Sequence, residues 1–231
     1  MSKEHSSYPK NANKLGAEQS AKRLVSLNAP PSFAPSVSHK QKKMNEIRKF
    51  IDNISPMNDS DWEFFSSKLQ KVELEKNTTI LEIGKTEKYL SFISKGIIRL
   101  YIPREESDLT FGFLFDNEFV TAYDSFLTQS PSEYQIETLT ETILWKISNN
   151  DLQEVYERTK KGNLVGRKMA EKMFLIKSKR ELSLLNKTAE ERYLDLFSDR
   201  PKLLKQIPLK YIASYIGITP QALSRIRKRI N

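Results

Sequence analysis

Cysteine is absent from the 231 residues, which removes thiol catalysis, disulfides, cysteine-held iron–sulfur clusters and zinc ribbons as explanations of the chain. Histidine is almost absent: the only two, His5 and His39, lie near the N-terminus. An acid–base site in the body of the chain would therefore need a pair of carboxylates in a cleft, and the spacing of Asp and Glu reveals none. The acidic run Glu105, Glu106 and Asp108 falls in an expected hairpin loop and reads as a solvated surface. An enzyme is the poorest of the readings, and no cofactor or metal site is expected. No apolar run approaches the length of a membrane span, and no charged-then-apolar signal segment opens the chain. A cytoplasmic protein with no membrane partner is the expectation.

Acidic residues are scarce at both ends. The net charge is +9, but residues 1–43 alone carry eight Lys/Arg against two Asp/Glu, and residues 199–231 carry eight against one. The intervening body is net negative, the pattern of a nucleic-acid surface attached to a body that does not bind nucleic acid. Residues 1–43 are rich in Ser, Asn, Lys and Pro, include Ala29-Pro30-Pro31 and lack periodicity, so a disordered leader is expected. Its charge is either a basic arm with non-specific DNA affinity or incidental.

Regular patterning begins at Met44. Ile47, Phe50, Ile51 and Ile54 share a helical face, and Asp59 or Ser60 would cap a helix carrying Trp62, Phe65 and Leu69. Short strands are expected at about 78–83, 89–94, 97–102, 110–115, 134–138 and 142–147, with Gly84, Gly96 and Asp116-Asn117 at turns. This spacing suggests a small antiparallel barrel or roll, giving an α+β domain over 44–161. A short helix should then run from Asp151 to Arg158, and a long one from Gly162 to Leu185 within a segment 162–187. Val165, Met169, Met173 and Ile176 line one side of the long helix; Leu164, Phe174, Leu175, Leu182 and Leu185 occupy others. A helix apolar on more than one side has two surfaces to bury. One would pack on its own roll; the other, assigned to Val165, Met169, Met173 and Ile176, would pack on a second copy in a homodimer. The alternative is a helix wholly buried in one monomer. Thr188 with Glu191 forms a capping-box pattern opening a domain over 188–231.

The segment IPLKYIASYIGITPQALSRIRKRI at 207–230 reads as a helix-turn-helix. Two short helices crossing steeply need a small residue where they touch and one tolerant of positive φ at the turn; Ala213 and Gly217 supply these. Ile212, Ile216, Ile218, Leu223 and Ile226 then face inward. Thr219 suits the N-cap and Pro220 the first helical position. Arg can bond both acceptors of a guanine edge and Gln both groups of an adenine edge, so Gln221 and Arg225 are the candidates for base reading. Thr219 at the start of the helix and Ser224 on their outward face are further candidates for DNA contact, and Arg227, Lys228 and Arg229 are candidates for phosphates. The competing reading is a helical hairpin with a basic, solvated exterior.

The order of helix, roll, long helix and helix-turn-helix resembles the Crp/Fnr family of bacterial transcription regulators. The resemblance covers about Met44 to Asn231, most specifically YLSFISKGIIRLYI at 89–102, AEERYLDL at 189–196 and the stretch at 207–230. It implies a cyclic-nucleotide-binding-type β-roll (a jelly roll), a dimer joined through the long helix, binding to palindromic double-stranded DNA, contact with RNA polymerase, and a small-molecule effector of unassigned identity. Members that bind cyclic AMP hold its ribose with a Gly-Glu pair and its phosphate with an Arg-Ser pair. Here those positions read Thr121-Ala122 and Ser132-Glu133, so the phosphate would lose its cationic partner and meet a carboxylate. Cyclic AMP binding in that manner is not expected. Many members continue into a β-hairpin wing after the recognition helix; without it, Lys210 and Tyr211 become candidates for anchoring the DNA backbone. A second functional reading is an effector-sensing module that acts through protein contacts, its helical hairpin serving as a docking element.

Overall fold

The computed structural model describes residues 37–230, with side chains from Met44 onward. Most of the expected leader, residues 1–36, lies outside the described residues. Helix α1 (Val37–Ile54) begins ahead of Met44, so the last part of that leader is helical. Helix α2 (Asp59–Ser67) is capped one residue before Asp59, the earlier of its two expected caps: Asn58 is the N-cap, its side chain accepting the Asp61 N–H at 2.8 Å.

The roll consists of β1 (Gln70–Leu74), β2 (Thr79–Leu81), β3 (Tyr89–Lys95), β4 (Ile98–Ile102), β5 (Leu109–Leu114), β6 (Phe119–Val120), β7 (Gln135–Thr138) and β8 (Thr142–Ser148), with the short helix α3 (Tyr123–Thr128) between β6 and β7. They form two antiparallel four-stranded sheets, ordered β1-β8-β3-β6 and β2-β7-β4-β5. Ile93, Ile98, Leu100, Val120, Ile136 and Leu144 fill the space between them. The first sheet is buried on its outer face as well. There Phe92, Trp145 and Ile147 meet Ile47 and Ile51 of α1, Trp62 and Phe65 of α2, and Leu152 and Val155 of α4 (Asn149–Arg158). Burial on both faces explains why β3 does not alternate buried and exposed residues, Ser91, Phe92, Ile93 and Ser94 all being buried. Strands β1 and β6 and helix α3 were not anticipated: β1 is a mostly exposed edge, β6 has two residues, and α3 is too short to show a period.

The chain continues through α5 (Gly162–Asn186), α6 (Ala189–Asp199), α7 (Pro201–Gln206), α8 (Leu209–Ile216) and α9 (Pro220–Ile230). The capping box opens α6 as expected: Thr188 and Glu191 exchange side-chain and backbone bonds, and the Thr188 N–H lies 2.7 Å from the Glu191 carboxylate. A third core joins these helices to the second sheet, with Phe113 and Phe115 of the roll packed among Tyr193, Leu196, Leu203, Ile212, Ile216, Leu223 and Ile226.

Helix α5 is two-sided, but its sides are exchanged relative to expectation. Val165 is only 6% exposed and, with Met169, packs in the core formed with α1, α2 and α4. Met173 on the same side is half-buried. Val165 and Met169 serve the monomer's own packing, and of the four expected at a dimer seam only Ile176 is exposed. The bare apolar stripe is Phe174 (70% exposed), Leu175, Leu182 and Leu185 (74%).

Candidate DNA-binding surface

The turn of the helix-turn-helix is built as its residue types require. Gly217 ends α8 in the left-handed region at φ 80°, ψ 32°, its N–H bonding the carbonyls of Ala213 and Ser214. Ile218 N–H also reaches the Ala213 carbonyl, at 3.0 Å. Ala213 is fully buried where the helices meet. Thr219 caps α9, its hydroxyl accepting the Ala222 N–H at 3.2 Å. Leu223 and Ile226 are buried; Gln221, Ser224, Arg225 and Lys228 are exposed on the opposite side, and Arg227 is half-buried.

The electrostatics favour a polyanion. No Asp or Glu occurs from Arg200 to Ile230, and among the described residues no carboxylate pairs with Lys210, Arg225, Arg227 or Lys228. Arg229 is tied to Glu190 at 2.6 Å, which draws it from the outward face toward α6. A shallow groove beside the recognition helix is lined by Leu209, Pro220, Ser224, Arg227 and Lys228, placing the start of α8 next to the candidate phosphate-binding residues. Lys210 is exposed there. Tyr211, expected on the DNA backbone, is instead turned inward: its ring lies 4.1 Å from the buried Arg99 guanidinium.

The frame behind this surface was not visible in the sequence. Arg180 of α5 donates to the Tyr215 carbonyl at 2.8 Å, and Arg192 of α6 to the Ile216 carbonyl at 2.9 Å. Two guanidiniums thus satisfy the last carbonyls of α8 and complement the negative end of its dipole. Burial pulls the Arg180 pKa down, opposed by Tyr215. Arg200 donates to the Tyr215 hydroxyl at 3.3 Å and to the Phe113 carbonyl of β5 at 2.7 Å.

The segment aligned with nucleotide-holding residues is satisfied from within. The Thr121 hydroxyl donates to the Tyr89 carbonyl at 2.9 Å, Ala122 is fully buried, and the Ser132 hydroxyl donates to the Tyr134 carbonyl at 2.9 Å. Tyr134, packed edge-on against Phe111, donates its hydroxyl to Asp124 at 2.7 Å; desolvation and that carboxylate push its pKa upward. Glu133, expected to repel an anion, is exposed. The buried carboxylate of this region is Glu87, whose pKa desolvation raises against the backbone N–H groups of Tyr89, Ala122 and Lys88. A cyclic nucleotide held in the Gly-Glu and Arg-Ser manner does not fit these residues: they offer no guanidinium, their hydroxyls are committed to carbonyls, and the added charge would face Glu87.

The fold recurs among solved structures. Residues 71–159 match the cyclic nucleotide-binding domain family. Among solved structures, the chain is similar to CLP, a c-di-GMP responsive global regulator of Xanthomonas campestris, at 16% identity over 75% of this chain and 91% of that one, with a TM-score of 0.58. It is similar to FixK2 from Bradyrhizobium japonicum at 16% identity over 70% and 84%, with a TM-score of 0.57. A CooA double mutant from Carboxydothermus hydrogenoformans gives 12% identity over 71% and 76%, also with a TM-score of 0.57. No curated protein sequence matches the chain significantly. The chain shares the fold of these Crp/Fnr-type structures. Among the described residues, no helix is long and apolar enough to cross a membrane.

Proposed function

We propose that the protein is a cytoplasmic transcription regulator of the Crp/Fnr type that binds palindromic duplex DNA as a homodimer and does not work through cyclic AMP. The observation that carries this reading is the recognition helix: Gln221, Ser224, Arg225 and Lys228 project from a helix whose other face is locked by Leu223 and Ile226, in a stretch with no carboxylate from Arg200 to Ile230. Gln221 and Arg225 read base edges; Lys210, Arg227 and Lys228 meet phosphates. Arg229 joins them only by leaving Glu190.

Dimerisation is assigned to the exposed stripe Phe174, Leu175, Leu182 and Leu185 of α5, joined by Ile176 from the adjoining side. A bare apolar stripe of that size favours coverage by another surface. Two copies joined there present two recognition helices to successive major grooves about 34 Å apart. RNA polymerase is the further partner that the family resemblance suggests. Selection of bound sequences from a random duplex library at physiological salt tests the reading. An enriched palindrome supports it; no enriched palindrome favours the module that docks proteins through its helical hairpin.

A further inference from the structure

Strand β5 closes one end of the order β2-β7-β4-β5, and an end strand leaves N–H and C=O groups without a neighbouring strand. Helix α8 lies along that edge, and Ser214 stands in for the missing strand. Its hydroxyl accepts the Thr110 N–H at 2.8 Å and donates to the Asp108 carbonyl at 2.6 Å. Further along the strand, Arg200 takes the Phe113 carbonyl. Beside these contacts lies Arg99, 2% exposed. Its Nε donates to the Thr110 hydroxyl at 2.9 Å, Nη1 to Glu137 at 2.9 Å and Nη2 to Asp108 at 3.0 Å. Its guanidinium lies between two rings, 4.0 Å from that of Tyr101 on the roll and 4.1 Å from that of Tyr211 on α8. At its C-terminal end, α8 is held by Arg180 of the long helix. The first helix of the DNA-binding unit is thus fastened to the roll and to the long helix at once.

We propose that this joint determines the half-site spacing the dimer accepts: Arg99, Tyr211 and Ser214 are positioning residues that fix the angle of the helix-turn-helix against the roll. The inference rests on the DNA-binding reading above. A recognition unit on a loose tether accepts several separations between half-sites; one bonded to a rigid strand edge accepts one. The directional contacts suit this task, because a hydroxyl bonded to two backbone groups and a guanidinium between two rings each hold a single geometry.

The test uses the full chain and two readouts. The first needs no DNA: amide hydrogen exchange at Thr110, whose N–H is bonded to Ser214, in Tyr211→Ala and Tyr211→Phe. Opening of the joint should speed Thr110 exchange by about tenfold or more in Tyr211→Ala, whereas Tyr211→Phe, which keeps the ring, should exchange as the unaltered chain does. The second is affinity for duplexes carrying the selected half-sites with the spacer changed one base pair at a time. The unaltered protein should show a sharp optimum; Tyr211→Ala/Ser214→Ala should bind that optimum more weakly and tolerate neighbouring spacers, with isolated half-site affinity unchanged. If circular dichroism shows that the double variant does not fold, Ser214→Ala alone carries the spacer series. An equally sharp optimum in the variant, tighter binding at the optimum, or unchanged Thr110 exchange in Tyr211→Ala overturns the proposal. Failure of the unaltered protein to select any palindrome overturns the DNA-binding reading and with it the spacing role, while Thr110 exchange separately reports whether the joint exists.

Discussion

Replacing Gly217 with alanine isolates one physical effect, because the structure separates backbone strain from crowding at this site. At φ 80° the backbone is in the left-handed region, which costs an L-residue about 1–2 kcal/mol. A Cβ there would lie 3.8 Å from the Arg192 guanidinium and 3.9 Å from the Leu184 side chain, which is ordinary contact. The expected loss for Gly217→Ala is therefore the strain alone, about 1–2 kcal/mol. Asparagine visits this region more readily, so Gly217→Asn should lose less. Gly96 provides the contrast: at φ 121° a Cβ would also sit 2.3 Å from the Thr142 hydroxyl and 2.9 Å from the Thr142 Cα. Strain and overpacking then combine, with overpacking alone adding about 1–3 kcal/mol. Urea unfolding should be followed by far-ultraviolet circular dichroism, because Trp62 and Trp145 both lie in the core beside α1 and α2 and report poorly on the C-terminal helices. The expected order of loss is Gly96→Ala, then Gly217→Ala, then Gly217→Asn. Equal losses for the two alanine variants, or an asparagine variant as weak as alanine, would refute the reasoning.

At the DNA surface, Arg225→Ala should cost about 1–3 kcal/mol on the selected operator and relax one base preference. Lys228→Ala should weaken all duplexes alike and reduce the salt slope by about 0.9; equal losses on operator and random duplex for Arg225→Ala remove its base-reading role. On the long helix, Leu185→Glu should dissociate the dimer in sedimentation while leaving the monomer folded, whereas Val165→Ala should destabilise the fold by about 1–3 kcal/mol through lost burial. A Leu185→Glu protein that sediments as a dimer refutes the assignment of the exposed stripe. Acid should loosen the C-terminal helices. Glu191 is held below the usual carboxylate range by the Thr188 N–H and hydroxyl, and Asp199 by its bond to Lys179. With folded pKa values depressed, the unfolded chain binds more protons in the window between the two states' values. The stabilisation is present above the ordinary carboxylate range and is lost as pH falls through the depressed values. Glu191→Gln should flatten that acid limb in circular dichroism measured across pH.

The helix-turn-helix was legible because its constraints are local: Ala213, Gly217, Thr219 and Pro220 act within one short window, and each residue type has a single geometric reason to be there. The two-sidedness of α5 was equally legible, since periodicity fixes the angle between two stripes. Which stripe faces the body was not. That choice depends on Ile47, Ile51 and Trp62 meeting Val165 and Met169, and on Arg180 meeting Tyr215, contacts between elements far apart in sequence. In the effector segment Glu87 and Tyr134 gave no signal, since a lone acid before a strand and a lone tyrosine at the start of another are ordinary. Arg99 did leave a trace, as the one charge inside Ile97–Ile102. Its partners Asp108, Glu137 and Tyr211 come from three other segments, so the trace could not be turned into a site.

The joint at Arg99 also bears on what the roll does. Taking a guanidinium out of water costs several kcal/mol that its partners must offset, and apolar contacts of similar size often join two parts at least as strongly. Strength is therefore a poor reason for a charged node at this position. Apolar contact is non-directional and lets packed surfaces slide, whereas Arg99 meets Thr110, Glu137 and Asp108 from one plane with a ring on each side. The roll interior is meanwhile filled by its own side chains, with Tyr134 bonded to Asp124 and packed on Phe111. A filled interior and a directional outer joint together favour a roll that acts as the rigid base from which the recognition helices are aimed. Together with the DNA-binding role proposed for Gln221 and Arg225, that view extends the set of residues that would control DNA selection back to Arg99 on the strand.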